Sequence, residues 1–244
     1  MAFGWQAEIG AARGNDVRGG ATSTPNNVTF RSSHYPGQIG HGAVFNGSTS
    51  RIETNYAPSL GPDDSMTISA WVRATTLSAT IAGDIVGLER ASSTEIRLLV
   101  RGDTGQAHAS FRSDNNGQAV VISPQAVVDG QWHHLASVRD GVSDEVRLYV
   151  DGRLAGYVAS ANANINVSNP LSLAIGADNH ATHGLQDFFP GEIDELRIYQ
   201  RALTFAEIRS LAGRPCIDGD VNYNGSVDLS DLNDILFNFG QVCP

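Results

Sequence analysis

The chain contains no lysine; all sixteen of its basic residues are arginine. Against twenty-six acidic residues these leave a net charge of −10. No segment gathers the basic stripe that holds a phosphate backbone, which argues against nucleic acid as a partner. Cysteine is almost absent, with only Cys216 and Cys243. No apolar run approaches the ~20 residues that span a bilayer, so no membrane span is expected. The amino terminus lacks a basic segment followed by an apolar core, so no secretory leader is visible. A secreted protein needs one, and the sequence therefore reads as a mature form or a fragment. What is present is 244 residues of ordinary hydrophobic content, 41%, enough to bury a core.

The acidic residues are unevenly spread. Residues 216–244 hold five aspartates and no basic residue, half of the net charge. Within them, Asp220 to Asp231 sets oxygen-bearing side chains at positions one, three, five and nine of a twelve-residue loop, glycine at six and an acid at twelve. Calcium takes roughly six to eight oxygen ligands, and a loop wraps it only by turning sharply near its middle. Gly225 permits that turn. Asp220, Asn222, Asn224 and Asp228 would supply side-chain or water-mediated oxygens, Ser226 its carbonyl, and Asp231 the closing carboxylate from the start of a helix over 232–239. A register starting at Asp218 would put Tyr223 where the glycine must stand. The plain alternative is an acidic turn without metal. Cys216 and Cys243 bracket this unit, which is too small to hold a core. They read as a disulfide clasp worth roughly 3 kcal/mol, against two free thiols. The clasp implies an extracytoplasmic setting.

Residues 220–240, with their Asp-x-Asn-x-Asn-Gly loop and aspartate at position twelve, resemble a bacterial dockerin type I repeat. The resemblance implies a secreted, calcium-dependent module with a cohesin-like partner. One repeat is present where dockerins carry two.

The body of the chain reads as short strands and turns. Ser65–Arg73 alternates, with Met66, Ile68, Ala70 and Val72 on one face and Trp71 opposite. Residues 131–138 alternate less cleanly, Trp132 sharing a face with His134, Ala136 and Val138. Residues 145–150 and 153–158 flank Asp151-Gly152, a strong hairpin signal. Further strands are expected over 43–46, 50–53, 84–89, 95–100, 107–112, 119–122, 171–176 and 192–199. So many short strands imply an antiparallel jelly-roll sandwich. One helix follows: Thr204-Phe-Ala-Glu207 is a capping box, Phe205, Ile208 and Leu211 make an apolar face, and Gly213 ends it.

Five segments then occur in a telling order: 37–47, 66–72, 129–136, 148–152 and 191–203. Together they resemble a LamG-like domain of the concanavalin A-like lectin superfamily, over about residues 5–213. The resemblance implies the sandwich fold and a role in binding glycans, proteins or calcium. The expected organisation is a jelly roll at 1–213 and a calcium module at 214–244.

Three functions compete. The first is a lectin-like module for a polysaccharide, another glycan or a cell-surface protein. Its candidate site is the polar loop 178–190, carrying His180, His183, Asp187 and Phe188, because long rim loops commonly carry function; Phe188 and Phe189 tucked into the core would be the plain alternative. The second is a glycosidase. Glu192-Ile-Asp194-Glu195 suggests one, but strand alternation puts Glu195 opposite Glu192 and Asp194 and makes Leu196 the next residue on their face. No Gly-x-Ser-x-Gly elbow occurs. The third is an adhesive spacer; Arg101-Gly102-Asp103 is read as chance. His133 and His134 are expected to be structural. Asn15-Asp16 reads as a solvated turn, or as a partner of Asp194 at a second calcium site. The favoured reading is a secreted, non-catalytic, calcium-binding lectin-like module.

Overall fold

The computed structural model describes residues 2–6, 15–16, 22–30, 42–75, 77, 82–90, 94–113, 117–159, 165–168 and 170–213. The calcium-loop residues Asp220, Asn222, Asn224, Ser226, Asp228 and Asp231, and both cysteines, lie outside them. In chain order the strands are β1 (Ala2–Gln6), β2 (Asn15–Asp16), β3 (Ser23–Asn26), β4 (Thr29–Phe30), β5 (Ala43–Asn46), β6 (Arg51–Thr54), β7 (Met66–Arg73), β8 (Gly83–Arg90) and β9 (Thr94–Val100). They continue as β10 (Gln106–Arg112), β11 (Gln118–Ala126), β12 (His133–Asp140), β13 (Glu145–Val150), β14 (Arg153–Ala159), β15 (Ala174–Ile175), β16 (Asp178–His180), β17 (Gly184–Gln186) and β18 (Pro190–Tyr199). One helix, α1 (Phe205–Leu211), follows.

These strands form two almost entirely antiparallel sheets, as the punctuated sequence predicts. The first runs β14-β13-β12-β7-β18-β1-β2, with β5 also on β18 and β4 on β5. The second runs β11-β10-β9-β8-β15-β6-β3, with the β16–β17 pair attached to β8. Met66, Ile68, Ala70 and Val72 of β7 and Ile96, Leu98 and Val100 of β9 meet in the core between the sheets. The expected strand 171–176 shrinks to the two residues of β15. Asn15-Asp16 is no free turn: β2 pairs with β1, and β1 with β18.

β12 alternates poorly because both of its faces are covered. Leu135 enters the inter-sheet core, while Ala136 and Val138 pack with Tyr149, Leu203 and Ile208 beneath the helix. A strand buried twice loses the polar half of its pattern. It begins at His133, so Trp132 precedes it. The helix forms where expected. The backbone N–H of Glu207 donates to the Thr204 hydroxyl, and the N–H of Thr204 donates to the Glu207 carboxylate at 2.9 Å. Gly213 follows the C-cap at φ +67, where a β-carbon would be strained. Asp151 and Gly152 both adopt positive φ, the turn that joins twisted strands without splaying them. A β-carbon on Gly152 would sit 3.1 Å from Ala212, so this turn packs against the end of the helix.

If α1 is an integral cover of β12, Ile208→Ala lowers the unfolding free energy by about 2–4 kcal/mol. Loss of the cap in Thr204→Ala costs about 1 kcal/mol. Urea denaturation checks both; midpoints unchanged from the parent would show that the helix sits apart from the fold.

Candidate functional site

The sequence places its candidate site on the segment after β15. That segment is not an open loop. β16 and β17 form a tight hairpin, and β16 pairs parallel with β8. Arg97 of β9 holds it down. Its Nε and Nη2 donate to the two oxygens of Asp84 at 2.9 and 2.5 Å, and Nη2 also donates to Asp187 at 2.7 Å. Phe189 is fully buried in the core, and Phe188 is half-buried. His180 is buried. Its Nδ1 accepts from the backbone N–H of Thr182 and of His183, both at 3.1 Å, so its proton sits on Nε2, 3.7 Å from Glu89. The His183 ring packs on that of His180 with centroids 4.3 Å apart. Asp187 and His180 are thus engaged in holding the hairpin, while Asp187, His183 and Phe188 keep part of their surface exposed.

The cluster is rich in acid. Asp84 is fully buried, which drives its carboxyl above the ordinary range. The two-pronged Arg97 opposes this, and that geometry needs an ionised carboxylate, so the pair is an ion pair. Asp178 has less help: Gln186 donates to its Oδ2 at 3.3 Å, while its buried Oδ1 has no hydrogen-bond partner. Burial raises it to about 6. Gly87 makes room for both carboxyls, because a β-carbon there would lie 2.9 Å from Asp84 and 3.0 Å from Asp178. Among the described residues, no group of three or more His, Cys, Asp or Glu is placed to hold a metal ion.

On the outer face of the first sheet, the glycosidase-like residues Glu192, Asp194 and Glu195 lie in β18. The expected alternation fails there. A bulge between Asp194 and Arg197 puts Glu195 at φ +48 and Leu196 in the core, and brings Arg197, which is ion-paired with Glu195, onto the face of Asp194. Glu192 is paired with Arg73. Asp194 is fully buried and is pushed by that burial to about 7, its Oδ1 accepting from the N–H of Glu195 at 2.8 Å.

His133 and His134 part company, as adjacent strand residues must. His134 is buried against Trp71, ring centroids 5.4 Å apart, and burial lowers it to about 4. His133 lies between two carboxylates, Asp151 at 2.9 Å from Nδ1 and Asp129 at 3.1 Å from Nε2. The hydrogen bond to Asp151 leads in raising its pKa. The Arg101-Gly102-Asp103 tripeptide is closed on itself in the turn after β9, with Arg101 donating to its own Asp103 at 3.0 and 2.6 Å.

An open concavity lies elsewhere among the described residues. β11 and β14 are the edge strands of the two sheets, and they run close together: a β-carbon on Gly156 would sit 3.1 Å from Val121. Beyond that contact they part around a groove of about 400 Å³. Residues 123–127 form one wall, Val150, Asp151 and 153–155 the other, and His133, bonded to Asp151, also lines it. The first wall is a bulge, since Gln106 pairs with Ala126 while His108 pairs with Ile122. It is pinned from within. Ser123 Oγ accepts from the N–H of Ala107 at 2.9 Å and donates to the carbonyl of Gln125 at 2.7 Å, and Gln106 donates to the carbonyl of Ser123 at 2.7 Å. A preformed groove of this size with mixed lining suits a small-molecule or oligosaccharide ligand. Sequence reading missed it. The available signal was Leu154 and Tyr157, apolar residues at a spacing that regular alternation does not keep on one face.

A family model described as the concanavalin A-like lectin/glucanases superfamily, Laminin_G_3, matches residues 46–209, more than half of the chain. Human pentraxin-4 is 29% identical over 91 residues, which are 36% of this chain and 19% of that protein. Among solved structures, the binding domain of Paraclostridial Mosquitocidal Protein 1 superposes with a TM-score of 0.68 at 15% identity, over 86% of this chain and 51% of that one. The botulinum neurotoxin serotype G binding domain gives 0.64 at 16% identity, over 86% and 50%. The chain thus spans about half the length of these binding domains, and the likeness concerns the fold. Among the described residues no helix is long and apolar enough to cross a membrane.

The state of Asp178 predicts a pH dependence. A carboxyl raised to about 6 from 3.8 stabilises the fold fully below about pH 4, and this contribution is lost as pH rises through 6. Asp178→Asn keeps the neutral shape, so the variant gains up to about 3 kcal/mol over the parent at pH 7.5 and nothing at pH 4. Urea titrations at the two pH values test this; an equal difference at both would refute it.

Proposed function

Because the chain belongs to the Laminin_G_3 family of the concanavalin A-like lectin/glucanases superfamily, we propose that it is a non-catalytic module binding a glycan or a glycan-bearing cell-surface receptor through the groove between β11 and β14. The groove carries this reading. There a pinned, irregular backbone holds open a cavity with both apolar and hydrogen-bonding groups. The names of the similar solved structures, binding domains of bacterial toxins, support a binding role of the same kind.

The residues speak against catalysis. Glycoside hydrolysis needs two carboxyl groups flanking the scissile bond, about 5–9.5 Å apart. Among the described residues Asp151 is the one acid lining the groove, and its oxygens accept from the N–H of His134 and face His133. Asp194 has the raised pKa of a general acid but is fully buried, away from any substrate.

The calcium module belongs to the same proposal and rests on the sequence. Asp220, Asn222, Asn224, Ser226, Asp228 and Asp231 bind one Ca²⁺, and a Cys216–Cys243 disulfide closes the unit. Both suit a secreted protein working at a polysaccharide or cell surface, with a cohesin-like domain as a further partner. Binding then orders the tail.

A glycan array probed in calcium and in EDTA tests the main reading. Saturable binding to a defined glycan is expected, and the double variant Gln125→Ala/Arg153→Ala should lose it. Absence of any glycan binding in both conditions would leave a structural or adhesive spacer instead. Separately, calcium titration by calorimetry should lose one site in Asp220→Ala and in Asp231→Ala; unchanged stoichiometry in both would overturn the calcium assignment.

A further inference from the structure

β14 carries an extra residue. Leu148 of β13 pairs with Gly156 and Tyr149 with Leu154, so Ala155 is left over. In a regular strand, residues three apart face opposite sides. The bulge cancels this, and Leu154 and Tyr157 come to lie opposite Tyr149 and Arg147, two positions of one face of β13. Tyr149 packs beneath α1, so this is the outer face of the first sheet. Both side chains are presented to solvent, Leu154 at 50% and Tyr157 at 65% exposure. They stand about 7 Å apart along the strand, the rise of two residues. Leu154 also lines the groove. The groove therefore continues as an apolar plate ending in an aromatic ring.

We infer that this plate is the second half of the binding site, and that the ligand is a linear, neutral oligosaccharide running from the groove over Leu154 to Tyr157. The inference rests on the groove reading above. A pyranose presents an apolar C–H face and a rim of hydroxyls. The plate offers a flat ring to the first, and Gln125, Asp151 and Arg153 offer hydrogen-bonding groups to the second. Charge argues for a neutral chain. Asp129 and Asp151 flank His133 beside the groove, and these acids balance the cations Arg153 and His133, so a sialylated or sulfated glycan finds no excess of positive charge there among the described residues.

The competing occupant of exposed sheet edges is a peptide adding a strand. The edges are poorly suited to it. The bulge at Ala155 in β14 and the bulge over residues 123–125, with Pro124 inside it, interrupt the regular ladder of N–H and C=O groups that an added strand needs.

Titration calorimetry of the full chain against neutral gluco-, manno- and galacto-oligosaccharides of two to six units tests the inference, with a sialylated and a sulfated oligosaccharide alongside. Affinity should rise with length, and Tyr157→Ala should lower it about tenfold for the longest ligands while sparing the disaccharide. Tyr157→Phe should retain parent affinity, because the ring face and not the hydroxyl makes the contact. The anionic glycans should bind more weakly than the neutral ones. Parent-like affinity in Tyr157→Ala, while Gln125→Ala/Arg153→Ala abolishes binding, would overturn the plate and leave the groove. Preference for the anionic glycans would overturn the neutral assignment. Binding of extended peptides in place of every glycan would overturn both readings.

Discussion

A strand packed between two occupied faces cannot slip, because one residue of error exchanges its buried side for its exposed one. This chain nevertheless places extra residues in its strands and confines each disturbance to a bulge. The irregularity in β8 lets Ile85 and Val86 both enter the core and brings Asp84 and Gly87 to the outer face. The one in β14 brings out Leu154 and Tyr157, and the one in β18 aligns Asp194 with Arg197. In all three, residues three apart share a face that alternation would deny them. The larger bulge at 123–125 makes a groove wall. The polar and exposed chemistry of the jelly roll gathers at these sites, and regular pairing between them supplies the rigid frame.

Two ends of the sandwich have contrasting fates. At the β16–β17 hairpin, Arg97 draws in Asp84 and Asp187, and the histidine ring of residue 180 is bonded into its own turn. Removing Arg97 would leave a buried carboxylate without its cation, the most costly kind of loss in a charged cluster. That end is built for stability. At the β11–β14 edge the hydrogen bonds of Ser123 brace its own wall, and a groove lies open beside it.

The fold was legible because its signals are local. The strand β7, the Asp151-Gly152 turn and the Thr204 capping box each declare themselves within a few residues, and each stands where expected. The site was less legible because it is made by pairing. Nothing in the sequence near Asp187 says that Arg97, ninety residues earlier, will claim it. The parity argument at Glu192–Glu195 was sound for a regular strand and failed at a bulge. The same kind of bulge hid the plate, since Leu154 and Tyr157 look like residues of opposite faces until the register of β13 is known. The spacing of five oxygen positions and a glycine in residues 220–231 remains the strongest chemical motif of the chain.

The function of this molecule turns on where ligand contacts it. Hydrogen–deuterium exchange of the full chain, free and saturated with the neutral oligosaccharide that binds best, locates that contact directly. Added protection should fall on residues 123–127 and 150–157, with the hairpin at 178–187 unchanged. Protection centred on that hairpin, with the β11–β14 edge unaffected, would contradict the claim that the groove and its plate are the binding site.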